Sequence, residues 1–232
     1  KKNDKFHSNS HGLFNFGPSN PSGLHAPSAI PDGKGGIVVI FNMNPGKKNP
    51  QKDDLVNKYW GQIMTLPRRI SLNEKNLLAV EPLGNIESLR FEQKKIGAMK
   101  LPANKEVVLN DIEGNSMELA IELNHNNAPM IEINVLRSPK KEEFTRISYF
   151  NKRGFKYQTS VKNNVKSVNV MSTALAELVR HESVVSIDTS YSSILPDVLS
   201  RAPESAPVSI GEEESINLRV FIDKSVLEVF VN

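Results

Sequence analysis

The chain contains no cysteine. That excludes a disulfide-stapled scaffold and any thiolate metal site, and leaves the compartment open. No apolar stretch approaches the roughly 20 residues needed to cross a bilayer as a helix. No leader segment with a charged start and an apolar middle is visible at the N-terminus. Tryptophan occurs once, at Trp60. Net charge is +3 over 232 residues, too small and too dispersed for the basic stripe with interleaved aromatics that nucleic acid requires. Lys47-Lys48 and Lys140-Lys141 stand in polar, proline-marked loops and read as solvated surface. No phosphate-cradling glycine loop, no Ser-His-Asp arrangement and no metal cluster stands out. His7 and His11 have i, i+4 spacing, but Ser, Asn and Gly surround them, which makes a poor zinc pair. The expectation is therefore no cofactor, no metal, no nucleic acid and no membrane.

What is present is alternation. Leu218, Val220 and Ile222 alternate with Arg219 and Phe221, and Leu227, Val229 and Val231 alternate with Glu228 and Phe230. Period two on both sides of Asp223-Lys224-Ser225 predicts an antiparallel hairpin. Met117–Leu123 repeats the pattern, as do Ile131, Ile133 and Val135. Val107–Leu109, Ile147–Phe150, Phe155–Tyr157 and Val184–Ile187 read as further strands. Short strands with turn signals every 8–14 residues or so predict an all-β sandwich or barrel.

One segment differs. Ser172–Glu182 carries helix formers, with Leu175, Leu178 and Val179 at helical spacing and Ser172 placed as an N-cap, so a short helix is predicted there.

The first third has another character. Residues 1–36 are turn-rich, with Gly17-Pro18, Pro21-Ser22-Gly23 and Asp32-Gly33 as punctuation. Ile37–Phe41 reads as a buried strand, residues 44–58 as a polar loop, and Trp60–Leu72 as a strand bent at Pro67. The change of style near residues 73–85 divides the chain into an opening β-unit, 1–75, and a sandwich, 76–232. The chain stops at Asn232 inside a predicted sheet, which points to a piece of a longer protein.

Candidate chemical groups are few. Asp32 lies in Pro-Asp-Gly, a turn sequence. Asp4, Asp53, Asp54 and Glu74 have no evident partner. Asp188 and Asp223 each precede a Ser by two positions, an arrangement that closes turns by accepting backbone N–H bonds. Glu118 and Glu122 fall on the strand face opposite the apolar residues and read as solvent-facing. His25 precedes Ala26-Pro27 just before the buried strand, where a sugar contact and a structural role are both open. No complete active site emerges, so no catalytic residue is assigned.

Five segments, in order, resemble glycoside hydrolase family 32, the invertase and inulinase family. They are His25–Ile40; Trp60-Gly-Gln-Ile-Met-Thr-Leu-Pro-Arg68; Glu87-Ser-Leu-Arg90; Ser186-Ile-Asp-Thr-Ser-Tyr-Ser-Ser193; and the closing Leu218-Arg-Val-Phe-Ile-Asp-Lys-Ser-Val-Leu-Glu-Val-Phe230. The resemblance implies the last part of a five-bladed β-propeller over about 1–75, followed by an antiparallel β-sandwich. It implies a parent enzyme that cleaves β-fructosides, sucrose or fructans, by the retaining two-carboxylate route. A fructosyltransferase on the same scaffold, and a non-catalytic carbohydrate-binding or structural sandwich, are the alternatives.

The family's Asn-Asp-Pro-Asn, Arg-Asp-Pro and Glu-Cys motifs are absent, so the resemblance implies that this stretch alone is inactive. His25, Asn42 and Asn44 fall where the resemblance implies the rim of a sugar pocket, and they depart there from the family's aromatic residues. It further implies the rest of the propeller as partner, is compatible with a homo-oligomer, and favours an exported protein.

Overall fold

A computed structural model describes residues 24–43, 63–74, 76–155, 159–162, 165–168, 181–196, 198 and 202–232. Among them the chain is built of strands, with a single 3-10 turn at Ile86–Leu89 and no α-helix. The first sheet holds β1 (Leu24–Pro31), β2 (Ile37–Met43), β3 (Ile63–Met64), β4 (Arg68–Leu72) and β5 (Leu78–Pro82). Its order is β1-β2-β4-β5, a four-stranded antiparallel meander, with β3 paired to the end of β2.

The β1–β2 turn is fixed by Asp32. Its Oδ1 accepts the N–H groups of Lys34 at 2.7 Å and Gly36 at 2.8 Å, and its Oδ2 receives Arg69 Nε at 2.6 Å. Gly36 is required by space: a Cβ there would lie 2.7 Å from Asp32 Oδ2 and 2.9 Å from the Ile70 carbonyl oxygen. Gly35 is required by conformation, at φ +85°. The Asp-Gly turn signal thus does what the sequence predicted, and Asp32 is structural.

The remaining strands are β6 (Ser116–Leu123), β7 (Met130–Val135), β8 (Thr145–Phe155), β9 (Thr159–Lys162), β10 (Val165–Val168), β11 (His181–Asp188), β12 (Glu204–Val208), β13 (Ile216–Asp223) and β14 (Val226–Val231). Sheet β12-β11-β8-β7 faces sheet β14-β13-β6, and β9-β10 is a separate hairpin. One core joins the two facing sheets. Val135, Ile147, Tyr149 and Val185 from the first meet Ile216, Leu218, Val220 and Ile222 from the second. This is the predicted sandwich, and its cause is the predicted one: side chains alternate across each strand, so one row of every strand enters the core. The closing hairpin pairs Leu218 with Val231 through Asp223 with Val226, leaving Lys224-Ser225 as a two-residue turn with Lys224 at φ +54°.

Three expectations fail or fall elsewhere. Val107–Leu109 forms no strand; the stretch from Phe91 to Asn115 is irregular, and all three side chains are exposed. An apolar run without alternation has no face to commit to a sheet. The predicted helix Ser172–Glu182 lies outside the described residues except for its end, and there His181 and Glu182 belong to β11. Glu118 is not solvent-facing; two arginines cover it, as shown below. Lys156 and Tyr157 of the Phe155–Tyr157 strand, Trp60, Asp53, Asp54, Asp4, His7 and His11 lie outside the described residues.

Candidate functional site at the junction of the two units

The outward face of sheet β14-β13-β6 is not free. It carries Glu118 on β6, Arg219 and Phe221 on β13, and Glu228 and Phe230 on β14, the positions opposite the core row. The first sheet closes on this face. Glu228, only 7% exposed, accepts the Leu66 N–H at 2.7 Å through Oε1 and binds Arg68 Nη2 at 2.6 Å through Oε2. The Arg68 guanidinium lies 5.7 Å from the Phe41 ring centroid and 5.6 Å from that of Phe230. A cation between two ring faces gains from both quadrupoles. Phe230 is steadied edge-on by Phe221 at 5.8 Å. Residues 160 apart in sequence thus form one buried, charge-assisted clamp.

A second set of charges borders it. Glu118 receives Arg90 Nε and Nη2 at 2.7 and 2.8 Å, and Arg219 Nε at 2.8 Å. Glu87 adds a contact to Arg219 at 3.2 Å. Arg90 and, behind it, Arg219 hold the Glu118 carboxyl below the usual carboxylate range. The segment Glu87-Ser-Leu-Arg90 is therefore the strap that ties the connection between the units to β6.

The clamp reaches the predicted sugar-rim residues. Leu66 follows Thr65, whose Oγ1 accepts the Phe41 N–H at 3.2 Å, and Thr65 N donates to the Phe41 carbonyl at 2.9 Å. Asn42 is next in sequence. It pairs with His25 on one side and Met64 on the other. The structure thus places His25 and Asn42 directly opposite each other at one end of the β1–β2 pair. A bulge follows His25, where Ala26 takes φ +46°. Left-handed backbone at a non-glycine residue costs about 1–3 kcal/mol and collects at functional sites. Asn44 lies outside the described residues.

Glu228 and Arg68 were missed as partners because their separation hides the contact. One local signal existed: a carboxylate flanked by Val226 and Phe230 on a strand face is out of place if that face meets water.

Two further carboxylates are held ionised by their structural partners. Backbone N–H bonds from Lys34 and Gly36, then Arg69, lower Asp32 from an ordinary 3.8 to about 2. Lys141, then Arg137, lower Glu106 from 4.5 to about 2. A glycosidase acid needs the opposite, a raised pKa. No group of three or more metal-ligating side chains gathers among the described residues.

These shifts fix the sign of an acid effect. Folded values lie below unfolded ones, so the stabilisation is complete above about pH 4.5 and is lost as pH falls towards 2. The melting temperature is expected to fall across that window. Asp32→Asn and Glu106→Gln are each expected to flatten the fall, and unaltered slopes in thermal melts of both variants would contradict the assignment.

Fold and junction together define an all-β protein in which a four-stranded meander is locked to a two-sheet sandwich. Residues 85–232 match the family model described as glycosyl hydrolases family 32 C terminal. The match covers more than half of the chain, and the chain belongs to that family. Among solved structures it is similar to fructan 1-exohydrolase IIa from Cichorium intybus, at TM-score 0.66 and 18% identity over 90% of this chain and 40% of that one. A variant of that Cichorium intybus enzyme in complex with 1-kestose is similar at TM-score 0.65. Sucrose-6-phosphate hydrolase from Lactobacillus gasseri is similar at TM-score 0.56 and 16% identity, over 90% and 34% of the two chains. The chain thus spans less than half the length of these structures. No curated protein sequence matches it.

Proposed function

We propose that this chain is the C-terminal part of a retaining hydrolase of β-fructosides, and that the carboxylates which cleave the bond lie outside it. The carrying observation is the Glu228–Arg68 clamp, which makes the sandwich a brace for the first sheet. The opposite face of that sheet supports the reading. Ile30, Val38, Ile40, Pro67 and Leu83 line an open apolar depression there. A four-stranded meander with one face braced and the other apolar is what the final blade of a propeller needs in order to stack on its neighbour. The propeller part, in this reading, gives way to the sandwich after β5, which still pairs with β4 in the first sheet. In this reading His25 and Asn42, with Asn44, edge the sugar pocket and offer hydrogen bonds to fructose hydroxyls. Fructosyl transfer on the same scaffold is separated from hydrolysis by the products formed from sucrose.

The test is an assay of fructose release from sucrose and inulin by this chain and by the full product of its open reading frame. Activity is expected only in a longer product that carries upstream acidic motifs. Cleavage by residues 1–232 alone would overturn the proposal.

A further inference from the structure

The loop after β11 carries an exposed aromatic ring that the junction does not use. Tyr191 is 52% exposed, and its ring stacks on buried Phe144 at 5.1 Å with 6° between the planes. The loop is held at several points. Phe144 N donates to the Tyr191 carbonyl at 2.9 Å, Thr145 Oγ1 meets Ser192 Oγ at 2.7 Å, Ser190 N donates to Asp188 Oδ1 at 2.9 Å, and Ile194 N donates to Glu143 Oε1 at 2.8 Å. An exposed ring on a fixed backbone is pre-organised for binding.

Charged groups edge this ring. The Arg146 guanidinium lies 5.4 Å from the Phe144 centroid and 5.5 Å from that of Tyr191. Near-equal distances put it beside the stacked pair rather than on the outward face of Tyr191. Glu132 and Asp188 flank Arg146 at 3.3 and 3.9 Å. A flat apolar surface bordered by planar donors and acceptors matches a sugar ring, whose C–H face stacks while its hydroxyls bond at the edge.

Resting on the fructoside reading above, we propose that Tyr191, Arg146 and Asp188 form a sugar-binding platform on the sandwich that takes a β-linked oligofructoside. It would hold a polymeric substrate on the protein by stacking, without chemistry of its own. Ile194 and Leu195, a few residues on in the same loop, are also exposed, so a protein partner is the competing occupant.

The test is calorimetric titration of the full chain with an inulin-type oligofructoside, with a cello-oligosaccharide as control. Saturable binding of the fructoside alone is expected. Tyr191→Ala should weaken it by about tenfold or more, and Tyr191→Phe, which keeps the stacking face, by no more than about twofold. Unchanged melting temperatures show that the variants fold. Equal affinity in Tyr191→Ala, or no binding to wild type, overturns the platform; in the second case, self-association lost in Tyr191→Ala would point to the protein occupant instead. Equal binding of the cello-oligosaccharide overturns the ligand assignment. Fructose release by the longer product reports separately on the proposed function, so either idea can fail alone.

Discussion

Replacing Glu228 with alanine is expected to destabilise the protein by about 3 kcal/mol or more and to let the first sheet melt ahead of the sandwich. The change removes a carboxylate partner from a nearly buried guanidinium and takes away the acceptor of the Leu66 N–H. Breaking a buried ion pair from one side costs about 3–5 kcal/mol, because the remaining charge stays desolvated. Glu228→Gln keeps the shape and one acceptor, and should lose about 1–2 kcal/mol less than the alanine. Arg68→Met alone should cost a comparable amount to Glu228→Ala. The double change Arg68→Met with Glu228→Leu removes both charges and should recover much of the loss. Urea unfolding followed by fluorescence and by far-ultraviolet circular dichroism measures all four. An alanine variant within about 0.5 kcal/mol of wild type, with one coincident transition, would mean that the clamp does not hold the two units together.

That outcome bears on how the sandwich serves the enzyme proposed above. From Glu228 the contacts run to Leu66 and, through its chain neighbour Thr65, to Phe41, and Asn42 is the next residue. A loosened clamp would therefore free the strand end where His25 and Asn42 meet. The sandwich carries no cleaving group among its described residues in this view; it fixes the backbone from which sugar contacts project.

Much of this architecture was readable from the chain. Leu218, Val220 and Ile222 declare their strand because every second residue enters one core, and Asp32-Gly33 declares its turn because the carboxylate must cap what the glycines allow. The junction was not readable. Glu118 and Glu228 look like wet-face residues, since local alternation distinguishes the two faces of a strand but not what covers each face. The first sheet, from far upstream, covers Glu228, and Arg90 of the connecting segment, with Arg219, covers Glu118. The sugar-rim role proposed for His25 and Asn42 rests on resemblance; the register adds that the two are direct neighbours, a fact set by the bulge at Ala26 that no periodicity marks. Tyr191 lies on a loop because the Asp188 turn ends β11 three residues earlier, and no alternation in the sequence marks its ring as exposed.

Ile147→Ala should give the other large loss, about 4 kcal/mol, with a melting temperature lower by roughly 10 °C. Ile147 is 1% exposed and lies between Ile133 and Ile187 across neighbouring strands, facing the core row of β13. Close-packed surroundings cannot collapse into the space that three lost carbons leave, so the cost includes a cavity as well as transfer. Val108 makes the contrast. It belongs to an apolar run that looks equally strand-like in sequence, yet it is 50% exposed on irregular chain. Val108→Ala should therefore change stability by less than about 0.5 kcal/mol. Equal losses from the two variants in the same urea titration would mean that residues 107–109 are buried after all, and that the sandwich has a strand more than its two sheets contain.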